Sequence, residues 1–161
     1  MNHKKTLALV FSLFPSFLLA AITVDGKLDE PEWQNAQSIS DFVTVYPNDK
    51  SKPEFKTEVR VFSDDKGIYF GFTNEQPIET QTPLKHPRDK WFVDADRNFI
   101  MIDFDGNATV GYEFSVTLGD TLRDAIVTNE NECQIVGMLF GMQKHIKQSP
   151  LGFLNSLFLG R

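Results

Sequence analysis

The chain has 161 residues, a formal net charge of −6 at pH 7 and a single cysteine, Cys133. All 22 acidic side chains lie within residues 22–134, together with 11 of the 16 basic ones, so this part alone has a net charge of −11. An acidic surface repels phosphate backbones and anionic headgroups, which argues against nucleic acid and membrane surfaces as partners. One cysteine excludes a disulfide scaffold, and the length suits one domain.

Residues 1–21 have the pattern of a secretory signal peptide. A basic start precedes an apolar run, and cleavage is expected after Ala20 or Ala21. The run is shorter than the about 20 apolar residues that a membrane span needs. We therefore expect a secreted, periplasmic or cell-envelope protein of a bacterium, without a membrane span in the mature chain.

The first segment with folding signals reads ITVDGKLDEPEWQNA. Asp29 as N-cap and Glu32 three positions later match a capping box, while Leu28 and Trp33 hold the two positions of a hydrophobic staple. This pattern predicts one short helix. It also predicts that Trp33 anchors the helix to the core and does not contact a ligand, because a buried tryptophan in a small domain is usually an anchor.

Four later segments alternate apolar and polar residues, as strands do. Two of them contain turn signals, DDKG and DGN, which predict hairpins because Gly and Asn accept positive φ angles. Short strands at this spacing, with one brief helix, indicate an all-β fold, an antiparallel β-sandwich. The segments are residues 41–47 (DFVTVYP), 56–73 (KTEVRVFSDDKGIYFGFT), 97–117 (RNFIMIDFDGNATVGYEFSVT) and 123–128 (RDAIVT).

An irregular segment over residues 74–90 is long enough to have a function of its own. Trp91 follows it, and charged residues, among them Arg88 and Asp89, precede the ring. An aromatic face suits the C–H surface of a pyranose, and charged groups suit its hydroxyls. Trp91, Arg88 and Asp89 are therefore candidate carbohydrate-binding residues. The alternative is that Trp91 and Phe92 pin the loop to the core while the charged pair is satisfied internally.

Acidic residues at alternate positions raise calcium as a cofactor to be tested. The candidate ligands are Asp94, Asp96, Asp103 and Asp105. The glycine of the DFDGN run lies where a hairpin needs it, and not where a helix-loop-helix calcium site does. No Ser/His/Asp order, metal-binding His pair or nucleophile elbow is visible, so no catalytic residue is predicted for this chain.

These segments resemble, in order, the N-terminal carbohydrate-binding family 9 type domain of large secreted bacterial proteins. The resemblance rests on ITVDGKLDEPEWQNA, on YPNDKSKPEFKTEVRVFSDDKGIYFGF, on the Arg88-Asp89 pair and on DADRNFIMIDFDGNATVGYEFSV. It covers nearly all of residues 22–128 and implies a sandwich. Family 9 modules are appended to xylanases and related hydrolases. They are known for gripping sugar chain ends between aromatic rings and for structural calcium.

The resemblance implies a secreted, non-catalytic carbohydrate-binding module associated with carbohydrate catabolism or glycosyl hydrolysis in its parent protein. Its expected partner is a polysaccharide or oligosaccharide, and the parent's C-terminal domain is expected to be absent from this chain. The alternative is an interaction or structural domain that orients a following β-barrel-like region without binding glycan. Retention on insoluble polysaccharides distinguishes the two.

The sequence changes character after Gln134. Residues 135–161 contain no acidic side chain, and the alternation gives way to GMLFGM and SPLGFLNSLFLG. The resemblance ends at the same place. We therefore expect residues 22–134 to form a partial sandwich, incomplete at its C-terminus because the strands after Thr128 are absent, followed by an atypical tail. The alternative is a helical tail whose apolar side chains pack onto the sandwich. These are Met138, Phe140, Met142, Phe153 and Phe158.

We predict that the tail from about Val136 is translated in a shifted reading frame. If the third base of each codon is read with the first two bases of the next, permitted codon choices give WDAVWYAKTYQTESAWVSEFSIPWT. The middle base of each shifted codon is the first base of an observed codon, and it largely sets whether a residue is apolar. The peptide alternates with period two, and its AWVSEFSIPW resembles the closing strand of the family.

The nucleotide sequence tests this prediction. Codons for residues 136–161 should yield a strand-like, family-like peptide in the shifted frame, and any other peptide contradicts the hypothesis. If the frame is shifted, the tryptophans of that peptide are missing from this chain, and its glycan affinity is reduced accordingly.

Overall fold

A computed structural model describes residues 22–128, 132–135, 141–149 and 152–160; beyond Thr128 the description is mainly of the backbone. The predicted signal peptide lies outside these ranges. Short 3₁₀ helices cover Pro31–Gln34 and Ile78–Thr80, and no helix in the described ranges has the length and apolar character to span a membrane. The strands are β1 Gln37–Ile39, β2 Thr57–Ser63, β3 Gly67–Asn74, β4 Arg97–Ile102, β5 Val110–Thr117, β6 Leu122–Thr128, β7 Glu132–Ile135, β8 Gly141–Ser149 and β9 Gly152–Gly160.

The strands form two antiparallel sheets. The first sheet has the order β1-β2-β3-β9-β8, and the second has the order β4-β5-β6-β7. Val59, Phe70 and Phe72 of the first sheet meet Phe114 of the second in a buried cluster. Burial of each such side chain contributes about 1.5–3 kcal/mol. The predicted all-β antiparallel sandwich is confirmed.

The N-terminal segment covers the opposite face of the first sheet. Ile22 and Trp33 pack with Tyr69 of β3 in a second buried cluster, and Leu28 lies against it. Trp33 is only 1% exposed, so the prediction that it anchors the chain is confirmed. A Cβ atom on Gly71 would meet Leu28 Cδ2 at 2.5 Å, which explains why this position of β3 has no side chain.

The predicted capping box does not form. The helix is a single 3₁₀ turn, and its N-cap is Glu30, not Asp29, with no side-chain cap bond. The tight turn, in which the Trp33 N–H donates to the Glu30 carbonyl at 3.1 Å, is too short for the reciprocal bonds of a capping box. Glu30 acts instead as a clamp: its carboxylate accepts the Thr23 N–H at 2.8 Å and the Trp33 Nε1–H at 3.0 Å.

Both predicted hairpins are confirmed. Between β2 and β3, Asp64 Oδ1 accepts the backbone N–H groups of Lys66 at 2.9 Å and Gly67 at 3.1 Å. Between β4 and β5, Asp103 organises the turn, and Gly106 has a φ of 64°. In each turn an aspartate carboxylate takes the place of a backbone carbonyl as the acceptor of backbone N–H groups.

The predicted strand over residues 41–47 is wrong. The chain there is irregular, and the strand that pairs with β2 is the earlier Gln37–Ile39. Val45 and Tyr46 are exposed, Tyr46 to 94%. Alternation of apolar and polar residues shows only that a segment could form a strand with one buried face. Pairing also needs a neighbouring strand with a free edge. Here β1 already occupies the edge of β2.

The expectation that strands after Thr128 are absent is also wrong. Strand β7 pairs with β6, and β9 pairs with β3 along its whole length, from Gly67 opposite Gly160 to Asn74 opposite Phe153. The tail is therefore extended and not helical in the described part. Met138 and Phe140 lie outside it. The reading-frame hypothesis concerns codons and stays a prediction.

Changing Gly71 to Ala should destabilise the domain by about 1–3 kcal/mol, because the new methyl group overlaps Leu28 and crowds Trp33. Thermal or urea unfolding of the two proteins measures the difference. Gly111→Ala is the matched control, since its Cβ would meet the flexible Met101 side chain at 3.3 Å and Val127 Cβ at an ordinary contact distance of 3.9 Å. Equal stability losses in the two variants contradict the proposed packing.

Candidate functional site

The long loop between β3 and β4 is cross-linked by Asp96. Its Oδ2 accepts the Thr82 N–H at 2.6 Å and the Gln76 Nε2–H at 3.2 Å, and its backbone N–H donates to the Thr82 carbonyl at 3.2 Å. One aspartate thus joins the beginning, middle and end of the loop. Its carboxylate accepts hydrogen bonds from N–H groups of the loop itself.

The middle of the loop lies on the turn between β5 and β6. The His86 N–H donates to Thr121 Oγ1 at 2.9 Å, and that hydroxyl donates back to the His86 carbonyl at 2.9 Å. The Leu84 carbonyl occupies the space that a Cβ on Gly119 would need. The backbone contact at this point is close enough that only glycine fits.

Arg88 and Asp89 tie the end of the loop to β6. Arg88 Nη2 bonds the buried carboxylate of Asp124, and Arg88 Nε bonds Asp89 Oδ2 at 3.2 Å. The Asp89 N–H donates to the Leu122 carbonyl at 3.1 Å. Because Asp124 lies opposite Phe114 in the β5–β6 register, its side chain points toward the core. Of the two roles considered for this charged pair, the observed bonds match internal pairing.

Trp91 lies partly exposed at the end of the loop. Its side chain is 42% exposed and its ring lies edge-on to the exposed Phe92 ring, with centroids 6.1 Å apart. The guanidinium carbon of Arg123 lies 4.8 Å from the Trp91 ring centroid, a cation–π distance. The aromatic ring at the end of the loop is therefore presented to solvent and is supported by a strand residue.

Arg123 is held in turn by Glu113 of β5. Arg123 Nη1 lies 3.0 Å from Glu113 Oε1, and the two side chains are only 11% and 13% exposed. A short pair so far removed from water is screened less than a surface ion pair. Sequence patterns did not point to Arg123, which is one of several charged residues in strand-like segments.

Phe99 presents a second exposed ring on the same face of the second sheet. The strand register places Phe99 of β4, Ser115 of β5 and Arg123 of β6 in one row. Residues in such a row share a face, and the outer strands of the row are roughly 10 Å apart. Phe99 is 54% exposed, with the Arg97 guanidinium carbon 5.9 Å from its ring centroid. The alternation of RNFIMI in β4 indicates that Phe99 and Arg97 lie on the same face of the strand, since they are two residues apart.

An open groove continues along this face beyond Phe99. It has a volume of about 410 Å³, and its lining includes Met101, Gly111 and Val127. Gly111 deepens it, because a Cβ there would contact Met101 at 3.3 Å. The outer face of the second sheet thus brings together two partly exposed rings, a largely buried ion pair and a groove.

The four candidate calcium ligands do not come together. Within the ranges that the structure describes, no cluster of three or more His, Cys, Asp or Glu side chains could hold a metal ion. Asp103 accepts backbone N–H groups from Asp105 at 3.0 Å, Gly106 at 2.8 Å and Ala108 at 2.6 Å. These bonds, the one from Ala108 above all, hold the pKa of Asp103 below its ordinary value. Asp96 is similarly engaged by N–H donors.

The fold is similar to that of a known structure. A family 9 carbohydrate-binding module from Caldicellulosiruptor kristjanssonii, solved in complex with cellotriose, aligns with a TM-score of 0.58 and 12% sequence identity over 88% of this chain. This chain spans 64% of that structure's length. No protein-family model matches the sequence, and no curated protein does. The chain therefore has a family 9-like carbohydrate-binding module fold, as its sequence motifs suggested.

Changing Gly119 to Ala should lift the loop from the β5–β6 turn, because the methyl group takes the place of the Leu84 carbonyl. We expect a stability loss of about 1–3 kcal/mol and faster hydrogen exchange at the His86 amide. Exchange measured by NMR tests this, with Gly111→Ala as control. An unchanged His86 amide shows that the loop does not depend on this contact.

Proposed function

We propose that this domain binds a glycan on the outer face of its second sheet, with Trp91 as the main stacking platform. The observation that carries the proposal is that Trp91 is 42% exposed while Arg123 supports its ring from a strand. The similar structure was solved with cellotriose, which supports an oligosaccharide as the class of ligand. Arg88 and Asp89 contribute by fixing the loop that carries the ring.

The chemistry of the face suits a sugar. Aromatic rings at Trp91 and Phe99 offer apolar surface to the C–H faces of pyranoses. Arg97 places hydrogen-bond donors beside the Phe99 ring for hydroxyl groups. The groove beyond Phe99 gives room for further units of a chain. These features favour an oligosaccharide or polysaccharide over a small isolated ligand.

Secretion and membership of a larger protein complete the proposal. The signal-like residues 1–21 support export to a compartment where polymeric glycans are met. A non-catalytic module in a parent protein would hold an attached catalytic region near an insoluble polymer and so raise its effective concentration there. The competing proposal, a domain that only orients its neighbour, predicts no retention on any glycan.

Changing Trp91 to Ala should weaken retention on an insoluble polysaccharide by about tenfold or more, because loss of an aromatic stacking contact costs roughly 0.5–1.5 kcal/mol beyond the lost apolar area. Depletion assays on cellulose, xylan and mixed-linkage glucan, with cellotriose titrations followed by tryptophan fluorescence, measure the effect. The melting temperature should change little, since the ring is exposed.

The matched control is Tyr46→Ala, which removes an even more exposed ring from a different loop. It should leave retention unchanged. Equal losses for the two variants, or retention that survives the loss of Trp91, rule out this site. If Trp91→Ala unfolds the domain, the ring is a structural anchor after all.

A further inference from the structure

We propose that Arg123, held by Glu113, is the positioning residue that sets the orientation of the Trp91 ring. The inference rests on the proposed glycan site and adds a requirement: the ring must be aligned by the sheet and not by its own loop. Arg123 acts through Trp91 and need not touch the sugar.

The loop fixes its own backbone close to Trp91, but not the indole. Its nearest anchors, the bonds of Arg88 and Asp89 to β6, lie two and three residues before the ring. Rotation about the side-chain bonds of Trp91 remains free of these anchors. The ring has an edge-on aromatic contact with Phe92, itself 80% exposed, and a cation–π contact with Arg123. Arg123 is the more ordered partner of the two, because it belongs to a central strand.

Glu113 restrains the orientation of the Arg123 guanidinium. The two residues lie on adjacent strands and on the same face, since Glu113 is opposite Ala125 and Arg123 is opposite Ser115. The 3.0 Å bond from Nη1 to the carboxylate restrains one edge of the planar guanidinium, and the guanidinium carbon lies 4.8 Å from the centroid of the indole ring. A planar group that is bonded at its edge and in cation–π contact with a ring can define the tilt of that ring. Lysine offers the same charge without that plane.

Tryptophan fluorescence tests the positioning directly in the absence of any glycan. The chain contains two tryptophans, and Trp33 is buried, so an ionic quencher such as iodide reports on Trp91. The variant Trp91→Phe should lose the iodide-quenched signal and verifies this assignment. In Arg123→Met, which keeps the apolar stem, we expect the quenching constant to rise by about twofold and the fluorescence anisotropy to fall, because the ring loses its cation–π partner.

Two further variants separate the effect of the planar guanidinium of Arg123 from the effect of its positive charge. Arg123→Lys should give most of the quenching change although the charge is kept. Glu113→Gln should change quenching in the same direction but less, because the arginine remains with a weaker restraint. Cellotriose affinity should fall in the same order, by about threefold to tenfold for Arg123→Met.

The control is Arg60→Met on the first sheet, where Arg60 Nε pairs with Glu58 at 2.9 Å in a comparable Arg–Glu bond. It should leave quenching and affinity unchanged. Unchanged Trp91 quenching in Arg123→Met overturns the positioning role, whatever the glycan result. If quenching changes as expected but wild-type protein binds no glycan, the proposed function fails while the ring is still shown to be set by Arg123. Altered quenching with unaltered affinity overturns its importance for binding.

Discussion

Strand β3 has to be covered on both of its faces, and the arrangement of the domain depends on that requirement. One face packs against the second sheet through Phe70 and Phe72. The other face carries Tyr69 and Gly71, which lie under the N-terminal segment. Because both faces are apolar or tightly packed, the strand cannot lie at a solvated surface. Trp33 closes the side that the second sheet does not reach.

The second sheet has a face turned away from the core, on which Ser115 and Ala125 are buried and Phe99 is exposed. Its inner side chains share the core, while Phe99 and Arg123 point away from it. The loop from β3 to β4 crosses from one sheet to the other and sets Trp91 beside this face. The loop is anchored by hydrogen bonds of Asp96, Thr121 and Arg88, so it behaves as part of the scaffold. A rigid support of this kind reduces the entropy lost on binding.

Local patterns predicted what depends on neighbours in the sequence. The two hairpins followed from turn residues, and the burial of Trp33 followed from its place in a short helical segment, although the capping box predicted there does not form. Patterns failed where a partner decides the outcome: residues 41–47 alternate but have no strand to pair with, because β1 already lies against β2. The tail lacks clear alternation, yet its backbone is extended along β3.

The candidate site divides in the same way. Trp91 could be found from the sequence because it follows a long loop. Arg123, which supports it, and Asp124, which neutralises Arg88, are more than thirty residues away, and no spacing rule links them to the loop. The local alternative was an internal Arg88–Asp89 pair, and these two neighbouring side chains do form a bond. The missing information is the register of β5 and β6 against the loop.

The turn at Asp103 gives the outer face of the second sheet a tolerance to acid. This carboxylate is stabilised in its ionised form by three backbone N–H groups, so its pKa in the folded chain is lower than that of an unfolded aspartate, about 3.9. The stabilisation is complete above the unfolded value and is lost only as the pH falls through the lower folded value. Since Asp103 also lines the groove beside Met101, the stabilisation that it gives to the far end of this face is kept in a mildly acidic medium.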